Sequence, residues 1–373
     1  MRSWLLCAAL LGVFAGPPAY VGRPLRGADA DPIPADLASV TITATGTPTS
    51  PFALVHLFKQ DGFKGYAIVD ARGAIVWHYR TKDYPFGAAR RKHGNFVFMD
   101  KGRGLVEVNA KGDVVHELAQ RDAEREMHHD LVVTPADTVL YIAFDTEDAR
   151  GKRLKGEAIW EWNPDTGEDL KRWRSWDSLS PQDDVGPRTA GEWLHANSLA
   201  IGAHGNVIMS FHYINQIISI AKDWKSIEWR LGGIRPTIPL TPEQQFSGQH
   251  TAMEIAPGRI VLFDNGRDRG GYSRAMELAI EKGAGTANAV PYSRATTVWQ
   301  WRPEKDNYSS AISSARRLPS GNTLVSFGMS AGQSESTGPT EAFEVTNAGK
   351  VVWHLSVSGT TTMFRVEPIA SWP

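Results

Sequence analysis

Three histidines occupy matching places in the chain, each at the start of a strand-like segment. His129 and His250 precede the turn that ends their segment by nine positions, and His195 precedes its turn by eleven. The same place in two other segments holds Phe86 and Ser313. Because equivalent positions of a repeated unit lie around a common axis, this spacing predicts that the three imidazoles converge on one site.

Imidazole is suited to reaction chemistry near neutral pH. Its neutral form is a nucleophile, and its pKa allows it to take up and release a proton there. Three imidazoles that converge therefore predict a reaction centre. The alternative is that the three histidines fill equivalent packing positions and share no function.

The elements that carry these histidines belong to a degenerate repeat. A unit of alternating apolar residues, a polar turn and a closing apolar pair recurs six times, and the first and last copies begin at 66 and 341. Five intervals over that distance give a mean period of about 55 residues, which suits four short strands and their turns. The six copies are 66–79, 104–118, 158–173, 216–231, 297–304 and 341–355.

The alternation within each copy has a period of two, as at Ala67 and Val69, which is typical of strands rather than helices. Segments such as 94–100 and 205–211 begin with Gly-Asn, a turn pair, and are predicted to be inner strands. Residues 271–283 are the only stretch with helical character, and we interpret them as a loop between blades. The sequence predicts an all-β, six-bladed β-propeller over 52–373 rather than a solenoid or a sandwich.

The composition argues against one class of binding partner. A formal net charge of −1, with no cluster of Lys and Arg, argues against a nucleic-acid partner, because phosphate binding calls for a basic face. Thirteen tryptophans lie mostly at strand ends, where they are expected to pack between blades. The sequence gives no indication of the oligomeric state.

The first 22 residues have the pattern of a signal peptide or N-terminal anchor. Arg2 precedes a run of about a dozen mostly apolar residues. This pattern predicts export to a secreted or periplasmic location, with no membrane span in the mature chain. Cys7, the only cysteine, lies inside the run, so no disulfide is expected. Residues 23–51 are predicted to be a linker with one possible short strand at 38–45.

Several motifs, in this order, resemble those of the arylsulfotransferases, secreted propeller enzymes that use no adenosine-phosphosulfate donor. The resemblance covers roughly 52–355. It is carried by the strings HHD (128–130), WLHANSL (193–199), GQHTA (248–252) with FDNG (263–266), and YSSAISSARRLPSGNTLVSFG (308–328).

The resemblance implies a reaction and residue roles. His250 matches the histidine that attacks the sulfur of a phenolic sulfate ester and holds the sulfuryl group until a phenol acceptor collects it. His195 and the pair His128 and His129 match assisting histidines, and Asn197 matches a residue that helps to hold the sulfate. No cofactor or metal is implied. Adjacent strand residues point to opposite faces, so the sequence leaves open which of His128 and His129 faces the site.

The chain departs from the family pattern at one position. After GNVIMS (205–210) the family places an arginine that binds the sulfate, whereas this chain has Phe211 and His212. His212 can donate one hydrogen bond but lacks the planar fork and permanent charge of arginine. Arg267, Arg269 and Arg316 are candidates to replace that arginine from a neighbouring blade.

Two other functions are compatible with the same fold. Three imidazoles with an open position could hold Zn²⁺ and activate water for hydrolysis. Against this, there is no His-x-x-x-His spacing, and Asp130 is the only evident supporting carboxylate. A propeller can also be a binding or scaffold protein without catalysis. The segment 162–173 resembles a blade motif of quinone-dependent dehydrogenases, but it occurs once, and no acidic calcium cluster accompanies it.

Overall fold

The structure, a computed structural model, describes residues 32–120, 122–149, 151–185, 191–283 and 292–372. The predicted signal segment 1–22 lies outside these residues. Strands account for 52% of the described residues and helices for 4%, so the protein is all-β as predicted. Within these ranges, one α-helix, α1 (Ala35–Ala38), precedes the strands, and three short 3₁₀ helices lie at Ala123–Arg125, Ser175–Asp177 and Pro242–Gln244.

In chain order, the strands are β1 (Ile42–Gly46), β2 (Phe52–Phe58), β3 (Lys64–Asp70), β4 (Ile75–Arg80), β5 (Pro85–Arg90), β6 (Phe96–Asp100), β7 (Gly104–Val108), β8 (Val114–Ala119), β9 (Met127–Val133), β10 (Val139–Ala149), β11 (Lys152–Trp162), β12 (Asp169–Arg174), β13 (Ala196–Ile201), β14 (Val207–Phe211), β15 (Gln216–Ile220), β16 (Ile227–Leu231), β17 (His250–Ala256), β18 (Arg259–Asp264), β19 (Arg274–Lys282), β20 (Tyr292–Trp301), β21 (Ser314–Arg317), β22 (Thr323–Phe327), β23 (Thr340–Val345), β24 (Val351–Val357) and β25 (Thr362–Ile369).

These strands form six antiparallel sheets, the blades of a six-bladed β-propeller, which confirms the predicted architecture. From the innermost strand outward, the blades are β25-β2-β3-β4, β5 to β8, β9 to β12, β13 to β16, β17 to β20, and β21 to β24 with β1 outside. The innermost strands of neighbouring blades contact one another around the whole ring. Their later residues line a central cavity of about 770 Å³.

The ring is closed by strands from both ends of the propeller region. β25 pairs with β2, where Ile369 lies opposite Phe52, so the last strand of the chain completes the first blade. β1 pairs with β24, where Val357 lies opposite Ile42, and it overlaps the short strand expected at 38–45. Closing a blade with strands distant in sequence leaves few open sheet edges.

The interpretation of 271–283 as a loop was wrong. β19 occupies this stretch and pairs with both β18 and β20. Met276 and Leu278 are fully buried against the neighbouring blade, while Arg274 and Glu277 on the same strand are held by ion pairs. A strand that is buried on both faces lacks the alternation of apolar and polar residues that is typical of a half-exposed strand.

Apolar clusters lie between the blades and keep them in place. Trp229, 2% exposed, packs with Ile208 of its own blade and with Ile260 and Leu262 of the next. Trp353 packs with Val55 of the first blade. These contacts confirm the expected packing of tryptophans between blades.

Several innermost strands begin with an irregular pairing to the next strand of the blade. The pairing register shifts at the start of β5, β9, β13, β17 and β25. Non-glycine residues at or just before the start of innermost strands take the left-handed conformation, with φ of 57° at His129 and His195, 50° at Thr251 and 81° at Ser313. A β-bulge inserts an extra residue and re-aims a side chain. The bulges therefore set the direction of the residues that begin each inner strand.

Candidate active site

Four histidines from three consecutive blades form a continuous chain of ring contacts. The ring centroids of His129 and His195 are 4.7 Å apart, those of His195 and His212 are 5.4 Å apart, and those of His212 and His250 are 5.5 Å apart. The structure thus brings together the three histidines that share a repeat position, and adds His212. We call these four residues the histidine cluster.

His250 is held with one ring nitrogen free of a proton. Its Nδ1 lies 2.8 Å from Asn265 Oδ1 and 3.0 Å from the Gly248 carbonyl, both of which can only accept, so Nδ1 carries the hydrogen. The unprotonated Nε2 accepts a 3.2 Å hydrogen bond from the Ile312 N–H. Burial lowers the pKa of His250 to about 3. His250 is therefore a neutral imidazole whose Nε2 lone pair is available for attack once the Ile312 contact opens.

His195 is oriented by a carboxylate. Its Nδ1 lies 2.6 Å from Glu192 Oε2, and this hydrogen bond lowers the pKa of the Glu192 carboxyl. The Tyr213 ring stacks on the imidazole at 4.7 Å with an interplanar angle of 25°. A carboxylate on Nδ1 stabilises the protonated imidazole and leaves Nε2 to exchange a proton with a substrate. Glu192 and His195 are thus arranged as an acid–base pair.

His129, rather than His128, faces the cluster. The His129 ring contacts His195 as described, and it stacks on Phe86 at 5.0 Å. His128 is 3% exposed, stacks on Phe144 at 4.0 Å and places Nε2 3.0 Å from Glu157 Oε2. The two Nδ1 atoms are 2.8 Å apart, so one ring donates a hydrogen bond to the other. His128 therefore lies outside the cluster and orients the His129 ring through this hydrogen bond.

His212 and Arg267 form a unit at the other side of the cluster. His212 Nδ1 lies 3.0 Å from the Gly248 carbonyl, which makes it the protonated nitrogen, and Nε2 accepts a 2.7 Å hydrogen bond from Arg267 Nη1. Burial lowers the pKa of His212 well below its usual value, so it is neutral. Within the described ranges, no carboxylate lies at ion-pair distance from Arg267. A guanidinium with no anionic partner among the described residues is thus placed beside His212.

The other two arginine candidates already have partners. Arg269 Nη1 lies 3.1 Å from Asp264, whose side chain is fully buried, and Arg316 Nη2 lies 3.4 Å from Glu367. Of the three arginines proposed from the sequence, only Arg267 contacts the histidine cluster in the described structure.

Asn197 lies beneath the cluster and is not exposed to solvent. Its side chain is fully buried, and its Nδ2 donates a 2.7 Å hydrogen bond to the carbonyl of Gln249, the residue before His250. Its Oδ1 is buried and has no hydrogen-bond partner in the part of the chain that the structure describes. The contact to Gln249 fixes the backbone that carries His250, a structural role that was not predicted for this residue.

Aromatic rings flank the cluster on the side of the first two blades. The Phe86 ring lies 5.0 Å from His129 and 5.6 Å from Phe364, and Tyr84 lies 5.2 Å from Phe86. Phe86 is the residue that the repeat places in the histidine slot of the second blade. An apolar aromatic wall next to polar imidazoles suits a ligand that has an aryl ring and a polar group.

Two residues of the site were missed in the sequence. Glu192 stands three residues before His195, a separation short enough to have suggested the pair. Asn265 lies inside the FDNG string, 15 residues after His250, but the sequence offers no sign that a strand and its return turn bring the two side chains together.

The histidines are not arranged as a metal centre. No group of three or more His, Cys, Asp or Glu side chains in the described parts of the chain could hold a metal ion. Both nitrogens of His212 and of His250 are engaged in hydrogen bonds, and Nδ1 of His195 is engaged with Glu192. The donor set therefore does not favour the zinc hydrolase.

The model of one protein family, arylsulfotransferase (ASST), matches residues 38–365. The chain belongs to the arylsulfotransferase family. Family membership indicates a sulfotransferase enzyme, and implies an aryl sulfate donor and a phenol acceptor. No curated protein matches the chain in sequence.

Solved structures are similar to this chain in fold. A protein of unknown function from Bacteroides caccae is 15% identical with a TM-score of 0.54, and the match covers 86% of this chain and all of the other. A virginiamycin B lyase from Staphylococcus aureus is 9% identical with a TM-score of 0.43, over 85% of this chain and 99% of the other. Among the described residues, no helix is long and apolar enough to cross a membrane.

Proposed function

We propose that this arylsulfotransferase moves a sulfuryl group from a phenolic sulfate ester to a phenol through a covalent intermediate on His250. The observation that carries the proposal is the environment of His250. Two acceptor oxygens fix the proton on Nδ1, and burial keeps the ring neutral, so that Nε2 is a nucleophile at any ordinary pH.

In the first half-reaction, His250 Nε2 attacks sulfur in line with the ester oxygen. The N–S bond forms as the S–O(aryl) bond breaks, and the phenolate leaves with the bonding electrons. Positive charge develops on the imidazole, where Asn265 Oδ1 and the Gly248 carbonyl stabilise the Nδ1–H. Protonated His195, supported by Glu192, is placed to give a proton to the departing phenolate.

In the second half-reaction, the phenol acceptor takes the place of the released phenol. Its oxygen attacks sulfur, the N–S bond breaks and neutral His250 is restored. His195, now neutral, removes the phenolic proton and returns to its starting state. Splitting the transfer in this way gives ping-pong kinetics.

The sulfuryl oxygens need positive hydrogen-bond donors in both half-reactions. Arg267 supplies a permanent charge beside His212 and His250, which supports its use in place of the arginine that the family carries after GNVIMS. The Ile312 N–H, which points at His250 Nε2, can turn to an oxygen of the sulfuryl group when that nitrogen forms its new bond.

The first test is release of nitrophenol from 4-nitrophenyl sulfate by chelator-treated protein, with and without phenol as acceptor. We expect multiple turnovers only when phenol is present, with phenyl sulfate as the second product. Turnover that requires added Zn²⁺ would point to the hydrolase. No release under any condition would leave a propeller that binds without catalysis.

Replacing Arg267 with alanine is expected to lower kcat/KM for the sulfate donor by about 10²-fold, because one charged donor to the sulfuryl oxygens is removed. Lysine at this position should recover part of the loss, since it restores the charge without the planar fork. Arg302, which pairs with Asp306 on the surface, provides the matched control R302A. Equal kinetics of R267A and R302A would exclude Arg267 from the site.

A further inference from the structure

A cleft of about 600 Å³ opens beside His195. Among the described residues, it is lined by Ala123, Thr146, Arg153, Lys155, Gly191, Glu192 and Tyr213. Two of these contact His195 directly, Glu192 through the hydrogen bond to Nδ1 and Tyr213 through ring stacking. A molecule in this cleft is therefore next to the residue that exchanges protons with the acceptor.

Backbone pairing connects the cleft wall to the site. The N–H of Lys155 donates to the Gly191 carbonyl, and the N–H of Trp193 donates to the Lys155 carbonyl. This pairing joins β11 of the third blade to the segment that carries Glu192 and His195. The backbone of Lys155 is consequently held at a fixed place relative to the segment that carries His195.

The charges on the cleft wall are mainly positive. Lys155 and Arg153 contribute two cations, while Glu192, the one carboxylate among the described lining residues, is already engaged by His195. Lys155 Nζ lies 4.2 Å from the centre of the Phe144 ring and 3.7 Å from Glu126, a loose pair that is partly exposed. Arg153 lies 3.6 Å from Asp148, and both are largely exposed. A loose, partly exposed pair is weak, so Lys155 remains able to attract another anion.

We infer that this cleft selects phenol acceptors that carry a second, anionic substituent, such as a carboxylate, on the aryl ring. The inference rests on the proposed function. The phenolic oxygen lies towards His195 and the cluster, the ring lies along Tyr213, and the anionic substituent lies towards Lys155. The selection acts in the second half-reaction, after the phenol of the donor has left the site.

The test compares 4-hydroxyphenylacetate with 4-methylphenol as acceptors for the same donor. For the wild type, we expect kcat/KM to favour the anionic acceptor by about fivefold, as befits partly exposed charges. K155M should reduce this ratio about threefold, and K155E should reverse it by repulsion. The preference should also shrink as ionic strength rises from about 0.01 M to about 1 M, because salt screens exposed charges.

Lys111, in the turn between β7 and β8 at the outer edge of the second blade, provides the control K111M, which should keep the wild-type ratio. An unchanged ratio in both K155M and K155E, with active enzyme, overturns the inference and leaves the proposed function intact. No transfer by the wild type to either acceptor would instead overturn the proposed function.

Discussion

H250A is expected to lose sulfuryl transfer by a factor on the order of 10⁴ or more, because the residue that forms the bond to sulfur is gone. Both the single-turnover release of nitrophenol and the steady-state transfer should disappear. In the wild type, donor without acceptor should leave one SO₃ group on His250, which intact-mass and peptide mass spectrometry detect. The same experiment on H250A should give no modified peptide.

The control for this prediction is a histidine outside the site. His116 pairs with Glu107 on the second blade and is 41% exposed, so H116A should keep wild-type kinetics. His250 lies at the start of β17, where its loss leaves a small buried cavity, so the melting temperature of H250A has to be measured as well. A folded H250A with wild-type turnover would refute the nucleophile assignment.

The low pKa of His250 adds a test in the wild type. A nucleophilic histidine with an ordinary pKa near 6.5 would be only about 3% neutral at pH 5, and the rate would fall about 30-fold from its value at pH 8. Burial lowers the pKa of His250 to about 3, so the neutral form persists across this range. The rate constant for nitrophenol release in the first turnover should therefore not fall between pH 8 and pH 5. A 30-fold fall would show that His250 titrates normally.

The repeat and the histidine convergence could be predicted because both depend on short patterns. The outer hairpins, such as 66–79, keep a two-residue alternation that survives in single copies. The histidines share a repeat position, and a closed ring of blades brings equivalent positions together whatever the details of packing. β19 could not be predicted in this way. Its two faces are buried by different contacts, so its apolar and polar residues do not alternate clearly.

The detailed arrangement of the site depends on features that leave no pattern in the sequence. Whether His128 or His129 faces the cluster is decided by a bulge and a φ of 57° at His129, a shift of one residue that changes nothing in the hydrophobic pattern. Arg267 reaches His212 because the turn after β18 folds back over the neighbouring blade. That contact joins residues 55 positions apart, and no periodicity encodes it.

H195A is expected to slow the transfer to phenol by about 10²- to 10⁴-fold, the usual contribution of a positioned acid or base. Phenol has a pKa of about 10, so its oxygen attacks poorly at neutral pH unless a base removes the proton. His195 is the imidazole of the cluster that a carboxylate supports, through the 2.6 Å contact with Glu192. Nitrophenolate is a much better leaving group than phenolate, so release from 4-nitrophenyl sulfate in the first turnover needs little help from His195.

The expected signature of H195A is therefore a split between the two half-reactions. Stopped-flow measurement should show one equivalent of nitrophenol released quickly, followed by very slow turnover with phenol, and the modified His250 should accumulate. E192Q keeps an acceptor for Nδ1 but removes the charge, so it should slow the same second step by about tenfold. If H195A instead slowed both half-reactions equally with 4-nitrophenyl sulfate, His195 would bind the sulfuryl group rather than exchange protons, and the acid–base role would pass to His129, the neighbouring imidazole of the cluster.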